Sequence, residues 1–286
     1  MTKKILVIGA GFLGTTIEKT AKENNQIVFS TKKTNSSLPL DIRDNSQIKK
    51  VIDKISPDTI INCSAITNLD DIEKKPTIAY EINSIGAKNL ADISKQNNIK
   101  FIQISTDGIF DGKKQFYSES DIPSPINEYA RSKQKGETLV LENNENSIII
   151  RTNFYGFNNE NKFLFNWILT NLKNNYEFKA FSDVIFNPLE ITNLSKIILE
   201  LIEKDFQGII NLCGSEVFSK YDFATKIANV LGYDSSLIHK DSIQNSSLVA
   251  ERPLNTTLSN KLMNSMINTN VHSLEFWLRE NSSNFI

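Results

Sequence analysis

The sequence predicts an α/β fold, a doubly wound parallel sheet with a smaller C-terminal α/β part. Three observations carry this. Short β-branched apolar runs alternate with helix-compatible stretches from Ile5 to Ile150. The first run leads straight into Gly9-Ala10-Gly11-Phe12-Leu13-Gly14 and then a helix-compatible stretch, the Rossmann-type arrangement of a dinucleotide site. Beyond Arg151 the character changes, and Phe154, Tyr155, Phe157, Phe163, Phe165 and Trp167 crowd a short region. The expected division is an NAD(P)-binding part over 1–153 and a mainly substrate-binding part over 154–286. Segments near 187–212 are free to pack back onto the first part.

The elements follow in order. Ile5 to Ile8 is a strand, and a helix runs to about Asn24. Gly9 allows the tight turn, Gly11 lets a pyrophosphate approach backbone N–H groups, and Gly14 permits close helix–strand packing. Phe12 and Leu13 open the helix beside them. Gln26 to Ser30 is the second strand. An NAD-specific site places an acid about 20 residues beyond the glycines; here Thr31-Lys32-Lys33-Thr34 offers hydroxyls and ammoniums instead. That suits a 2′-phosphate and favours NADPH over NADH. Leu38-Pro39-Leu40 is expected as a short third strand, Gln47 to Ser56 as a helix and Thr59 to Asn62 as a fourth strand. Asn62 to Thr67 then fall where that strand meets cofactor. Thr77 to Gln96 has the pattern of one long amphipathic helix, with Asn83 either exposed or bracing the site. Phe101 to Ile104 and Ser147 to Ile150 complete the alternation. Farther on, Glu190 to Lys204 and Ser219 to Leu231 are expected helices around a strand at Gly208 to Leu212, and a last helix lies near Ser273 to Arg279.

Composition narrows the function. With 286 residues, 40% apolar and a net charge of −1, the chain can bury a full core. It carries no electrostatic footprint for nucleic acid or an anionic membrane. Two cysteines and two histidines make neither a disulfide scaffold nor a metal site, so no metal is expected. No apolar run reaches the roughly 18 residues of a membrane span. Three glycines inside the first apolar run argue against a signal peptide. A cytoplasmic protein is expected, and a homodimer is compatible with the sequence.

The chemistry gathers between Phe101 and Glu137. A strand delivers Ser105-Thr106-Asp107-Gly108 at its C-terminal end, where open α/β sheets bind ligands. Tyr129 and Lys133 follow, four apart and so on one helical face. A free phenol titrates near 10 and is a weak acid toward a carbonyl. A nearby ammonium favours the phenolate, and a hydroxyl such as Thr106 can fix the carbonyl oxygen.

These residues together resemble the extended short-chain dehydrogenase/reductase superfamily, and within it the dTDP-4-dehydrorhamnose reductase family. The likeness is carried by Pro57 to Thr67, by Ser105 to Gly112, by Tyr129 to Glu137 and by Arg252-Pro253. It implies an NAD(P)H-dependent reduction of a 4-keto group on a nucleotide-linked deoxysugar. Thr106, Tyr129 and Lys133 would then be orienter, proton donor and modulator, Lys133 also holding the nicotinamide ribose. Asp41 and Ile42 would border the adenine, with Asn62, Ser64 and Ala65 along the cofactor's middle. Thr106, Asp107 and Arg252 would meet the substrate, Arg252 at its diphosphate or, alternatively, in a structural ion pair.

Four departures stand out. The glycine loop is one residue short, Gly108 replaces the family's tyrosine, Arg151 to Gly156 lacks its tryptophan, and Lys162-Phe163 matches loosely. Gly108 also occupies the place of the glutamate that sugar-nucleotide dehydratases use as base, which disfavours dehydration. Two alternatives stay open: an NADP-binding regulatory subunit like that of methionine adenosyltransferase, and a sugar-nucleotide 4-epimerase.

Overall fold

The computed structural model describes residues 3–24, 26–31, 38–158 and 163–285. β1 (Lys4–Ile8) enters the glycine turn, α1 (Phe12–Glu23) follows, and β2 (Ile27–Thr31) returns beside β1. α2 (Asn45–Ile55) starts where the Asp44 carboxylate accepts from the Ser46 and Gln47 amides. β3 (Thr59–Asn62) and the short α3 (Leu69–Lys74) lead into a helical rod of three parts. These are α4 (Thr77–Ala79), a π-helical stretch (Tyr80–Gly86) and α5 (Ala87–Gln96). β4 (Lys100–Ile104), α6 (Glu128–Asn143) and β5 (Ile148–Thr152) complete the first half.

The second half begins with β6 (Phe154–Tyr155), α7 (Leu164–Lys173), β7 (Phe178–Phe181), β8 (Ile185–Phe186) and β9 (Leu189–Glu190). α8 (Ile191–Ile202) is capped by Glu190 and leads to β10 (Gly208–Leu212). β11 (Phe218–Ser219) opens α9 (Lys220–Leu231), with Ser219 accepting from the Asp222 amide. α9 stops at Gly232, whose φ of 78° is left-handed. β12 (Ile238–Asp241), α10 (Lys261–Met266) and α11 (Leu274–Glu280) end the fold.

Six strands form one parallel sheet in the order β10-β5-β4-β3-β1-β2. Its strands are apolar on both faces, as parallel strands covered by helices must be. Ile5 and Val7 face one core with Ile17, Ile102, Ile150, Ile198 and Leu212. Leu6 and Ile8 face the other with Ile48, Ile52, Leu90 and Phe101. The aromatic region makes a third core in which Tyr155, Phe165, Phe186 and Phe223 pack, largely edge to face. Among the described residues no helix is long and apolar enough to cross a membrane.

Two expectations need correction. Leu38 to Leu40 is not a strand of the sheet. Pro39 has no N–H to give, the Asp41 amide is taken by the Gln47 side chain at 3.0 Å, and Leu40 and Ile42 turn inward onto the second core. The rod from Thr77 to Gln96 is helical, but seven of its residues wind as a π-helix. α3, α7 and α10 went unanticipated: α3 and α10 span only six residues each, whereas in α7 Phe165, Ile168, Leu169 and Leu172 do recur at helical spacing, inside a stretch that reads first as an aromatic cluster.

Candidate active site

A cleft of about 420 Å³ opens at the C-terminal ends of β1, β2 and β3. It is lined by Gly9, Gly11, Thr31, Asp41, Ile42, Ser64 and Ala65, which the sequence singled out, and also by Ile8, Ala10, Leu40, Cys63, Ile66 and Ile82. The glycine turn is tightly built. Gly9 has a φ of 93°, and a Cβ there would lie 2.7 Å from the Ser64 amide nitrogen. A Cβ on Gly14 would lie 2.1 Å from the Gly9 carbonyl oxygen, whereas one on Gly11 meets nothing within 4 Å. Thr31 is buried, its carbonyl accepts from the Gly9 and Ala10 amides, and its hydroxyl has no partner. A backbone open at Gly11 ahead of a helix N-terminus, with an orphaned hydroxyl in the wall, fits a dinucleotide's pyrophosphate and ribose. Phe12 and Leu13 turn away: Phe12 packs on Phe163 at 4.8 Å and Leu13 enters the first core. Asp41 is bound by Arg43 Nη2 at 2.7 Å, which fixes the turn bordering the cleft. Lys32 lies outside the described residues, as do Lys33 and Thr34.

A second group sits at the end of β4, on one stripe of α6. Asn127 caps that helix, accepting from the Ala130 amide at 2.8 Å. Tyr129, Lys133 and Glu137 then recur every fourth residue and meet successive groups at the strand ends. Tyr129 lies beside Thr106, near enough for that hydroxyl to act on the phenol. Lys133 Nζ donates to the Ile104 carbonyl at 2.6 Å. Glu137 accepts from Ser105 Oγ at 2.5 Å and from Arg151 Nη2 at 2.8 Å, a fully buried ion pair. Burial pushes the Tyr129 phenol up to about 12, against a hydrogen bond with Thr106 and with the Asp107 charge adding to the rise. Burial pulls the Lys133 ammonium down to about 8, against the raising influence of Glu137 and Cys63. Lys133 was expected to lower the phenol; in this arrangement its ammonium is given to a backbone carbonyl and the phenol stands high.

Asn83 joins the two groups. It is buried, donates to the Ile66 carbonyl at 3.1 Å and to Ser132 Oγ at 2.9 Å, and accepts from the Ile66 amide at 3.0 Å. It therefore braces the cleft loop against the helix that carries Tyr129. A Cβ on Gly136 would lie 2.3 Å from the Asn83 carbonyl oxygen, so α6 can approach the π-helical stretch only through a glycine.

On the other side of Thr106, Asp107 accepts from Asn153 Nδ2 at 2.8 Å and from Thr106 Oγ1 at 3.2 Å. Thr256 and Lys220 lie close enough to act on it, the first as a hydroxyl and the second electrostatically. Lys220 was not foreseen, because a lysine opening a helix carries no signal in sequence. Arg252 gives Nη2 to Asp70 Oδ1 at 2.9 Å and Nη1 to the Ala250 carbonyl at 2.8 Å, so its guanidinium serves the structural ion pair. Among the described residues no cluster of His, Cys, Asp or Glu could hold a metal ion.

Known proteins with this sequence pattern and fold share a common character. The model of the RmlD substrate binding domain matches residues 3–281. The probable low-salt glycan biosynthesis reductase Agl14 of Haloferax volcanii is 31% identical over 264 residues, 88% of each chain. The methionine adenosyltransferase 2 subunit beta of Xenopus laevis is 29% identical over 250 residues, 82% of this chain and 74% of that one. The solved dTDP-4-dehydrorhamnose reductase of Bacillus anthracis in complex with NADP superposes with a TM-score of 0.87 at 29% identity, covering 100% of this chain and 99% of the other. The chain thus belongs to the dTDP-4-dehydrorhamnose reductase-like family of extended short-chain dehydrogenases/reductases, a family of NAD(P)-dependent oxidoreductases.

Proposed function

We propose that the protein is an NADPH-dependent reductase of a nucleotide-activated 4-keto-6-deoxysugar. The observation that carries this is the meeting of Tyr129 with Thr106 at the end of β4, beside a cleft shaped for a dinucleotide. NADPH, held along the glycine turn, supplies the hydride. Tyr129 is a neutral phenol at physiological pH and gives its proton to the carbonyl oxygen, which Thr106 holds in place. The Lys133 ammonium, one turn along the same face, would hold the nicotinamide ribose. Asp107 faces the sugar, and residues 154–286 make most of the remaining contacts to the sugar nucleotide.

The test is NADPH oxidation with freshly made dTDP- and GDP-4-keto-6-deoxysugars, with NADH in parallel. Tyr129→Phe should lower kcat by roughly 10²- to 10⁴-fold and leave NADPH affinity unchanged. Equal loss of both would remove the proton-donor role. The likeness to the methionine adenosyltransferase subunit favours a second reading, an NADP-binding regulatory subunit. Tight NADPH binding without turnover on any sugar, together with copurification of a partner enzyme, would replace the first reading by the second.

A further inference from the structure

Beside the reacting pair lies a charged cluster that proton transfer does not use. Asp107 is 6% exposed, and two side chains, Asn153 and Thr106, bond its carboxylate, with the Thr256 hydroxyl close by. Lys220 is the cation that acts on it. That lysine is the first residue of α9, where the positive end of the helix dipole opposes a cation. Its Nζ stands 3.1 Å from the centroid of the Phe186 ring, and burial brings it down to about 8 while Asp107 pulls the other way. The Phe186 ring face and the Asp107 charge hold the ammonium there against the dipole and its desolvation. Next to the cluster, Gly108 leaves space: a Cβ there would meet only Thr106 Oγ1, at 3.5 Å. Gly108 and Asn153 are partly exposed, Thr106 and Asp107 are buried, and Lys220 is half-buried as a residue with its ammonium buried over the Phe186 ring.

We propose that Lys220 and Asp107 form a subsite that reads a neutral sugar hydroxyl on the carbon next to the carbonyl, the ammonium donating to it and the carboxylate accepting from it. The assignment rests on the reductase reading, which places the carbonyl oxygen at Thr106 and Tyr129. Asp107 follows Thr106 in the chain and bonds its hydroxyl, so the neighbouring ring substituent falls at the carboxylate. The chemistry selects the ligand class. A carboxylate and an ammonium near each other leave no net positive charge to draw a phosphate or a sugar acid, and together they offer the acceptor and the donor that a hydroxyl requires. The space at Gly108 lets the substituent reach them.

The experiment compares the wild type, Lys220→Met, Lys220→Gln and Lys220→Arg. Each is assayed on a nucleotide-linked 4-keto-6-deoxysugar and on its analogue lacking the adjacent hydroxyl. Wild type should favour the hydroxylated sugar. Lys220→Met and Lys220→Gln should each lose roughly 10- to 100-fold in kcat/KM on that sugar and almost nothing on the deoxy analogue, with NADPH affinity unchanged. Lys220→Arg should recover part of the loss. The two neutral variants run together, so a folding defect in one leaves the other to decide. Equal losses on both sugars, or no loss on either, would overturn the subsite while leaving the reductase reading intact. A wild type silent on both sugars would overturn that reading, and the subsite with it.

Discussion

At the scale of single residues, the three glycines of the first turn do three different jobs, and the structure separates them. Gly14 is pressed against the Gly9 carbonyl, Gly9 needs a left-handed φ, and Gly11 faces open space with an ordinary φ of −85°. Gly14→Ala should therefore destabilise the fold by about 1–3 kcal/mol, the usual cost of forcing an extra methyl into a packed site. Gly11→Ala should leave the thermal midpoint of the apoprotein where it is and abolish most of the rise that NADPH produces. Thermal melts of both variants with and without NADPH check this. A Gly11→Ala protein that melts early yet keeps its cofactor response would mean that the pyrophosphate approaches elsewhere. The glycines were legible because their spacing follows a strand at once. Asn83 was not, since its value depends on a π-helical register that turns it inward, and helical periodicity alone does not announce that register.

At the scale of elements, α6 shows what a Tyr-x-x-x-Lys spacing brings together. The same face continues to Glu137, and the three side chains grip β4 and β5 at Thr106, Ile104, Ser105 and Arg151. Glu137 and Arg151 are each almost wholly buried, so losing one partner strands the other's charge. Glu137→Gln should cost about 3–5 kcal/mol in chemical denaturation. The double change Glu137→Leu with Arg151→Met should recover much of that, because the pair's attraction is offset by its desolvation. A Glu137→Gln protein as stable as wild type would mean that the pair does not hold the strand ends to the helix. The sequence exposed Tyr129 and Lys133 through their four-residue interval. Glu137 extends that interval, but its partner Arg151 lies on a strand 14 residues on, and only the fold brings them together.

At the scale of the whole molecule, the sheet does not end where the first half of the chain ends. β10 completes it beside β5, and Leu194, Ile198, Leu212 and Met263 cover one of its faces. The alternation of strands and helices through Ile150 was largely readable because each strand of the sheet carries a short β-branched or aromatic apolar run, even where Gln103 interrupts β4. The return of the chain was only partly so, as a short apolar run cannot declare which sheet it joins. A fragment of residues 1–153 would bare β5 as an edge and expose the apolar face that α8 covers. It should aggregate, or unfold without a cooperative transition, in a denaturant titration. A monomeric fragment with a sharp transition and intact NADPH binding would show instead that the first part is a self-sufficient unit.

The stretch from Ala250 to Leu258 carries that dependence into the site itself. It starts at Asp70, passes Asn127 at the head of α6 through the Glu251 carbonyl, runs against Gly112 at Leu254, sends Thr256 to Asp107 and ends on Asn187. One stretch of the second half thus clasps α3, the head of α6, the loop after β4 and the approach to β9 at once. The substrate side of the site is held like a laced seam, whereas the glycine turn rests on β1, α1, the Thr31 carbonyl and the Ser64 backbone.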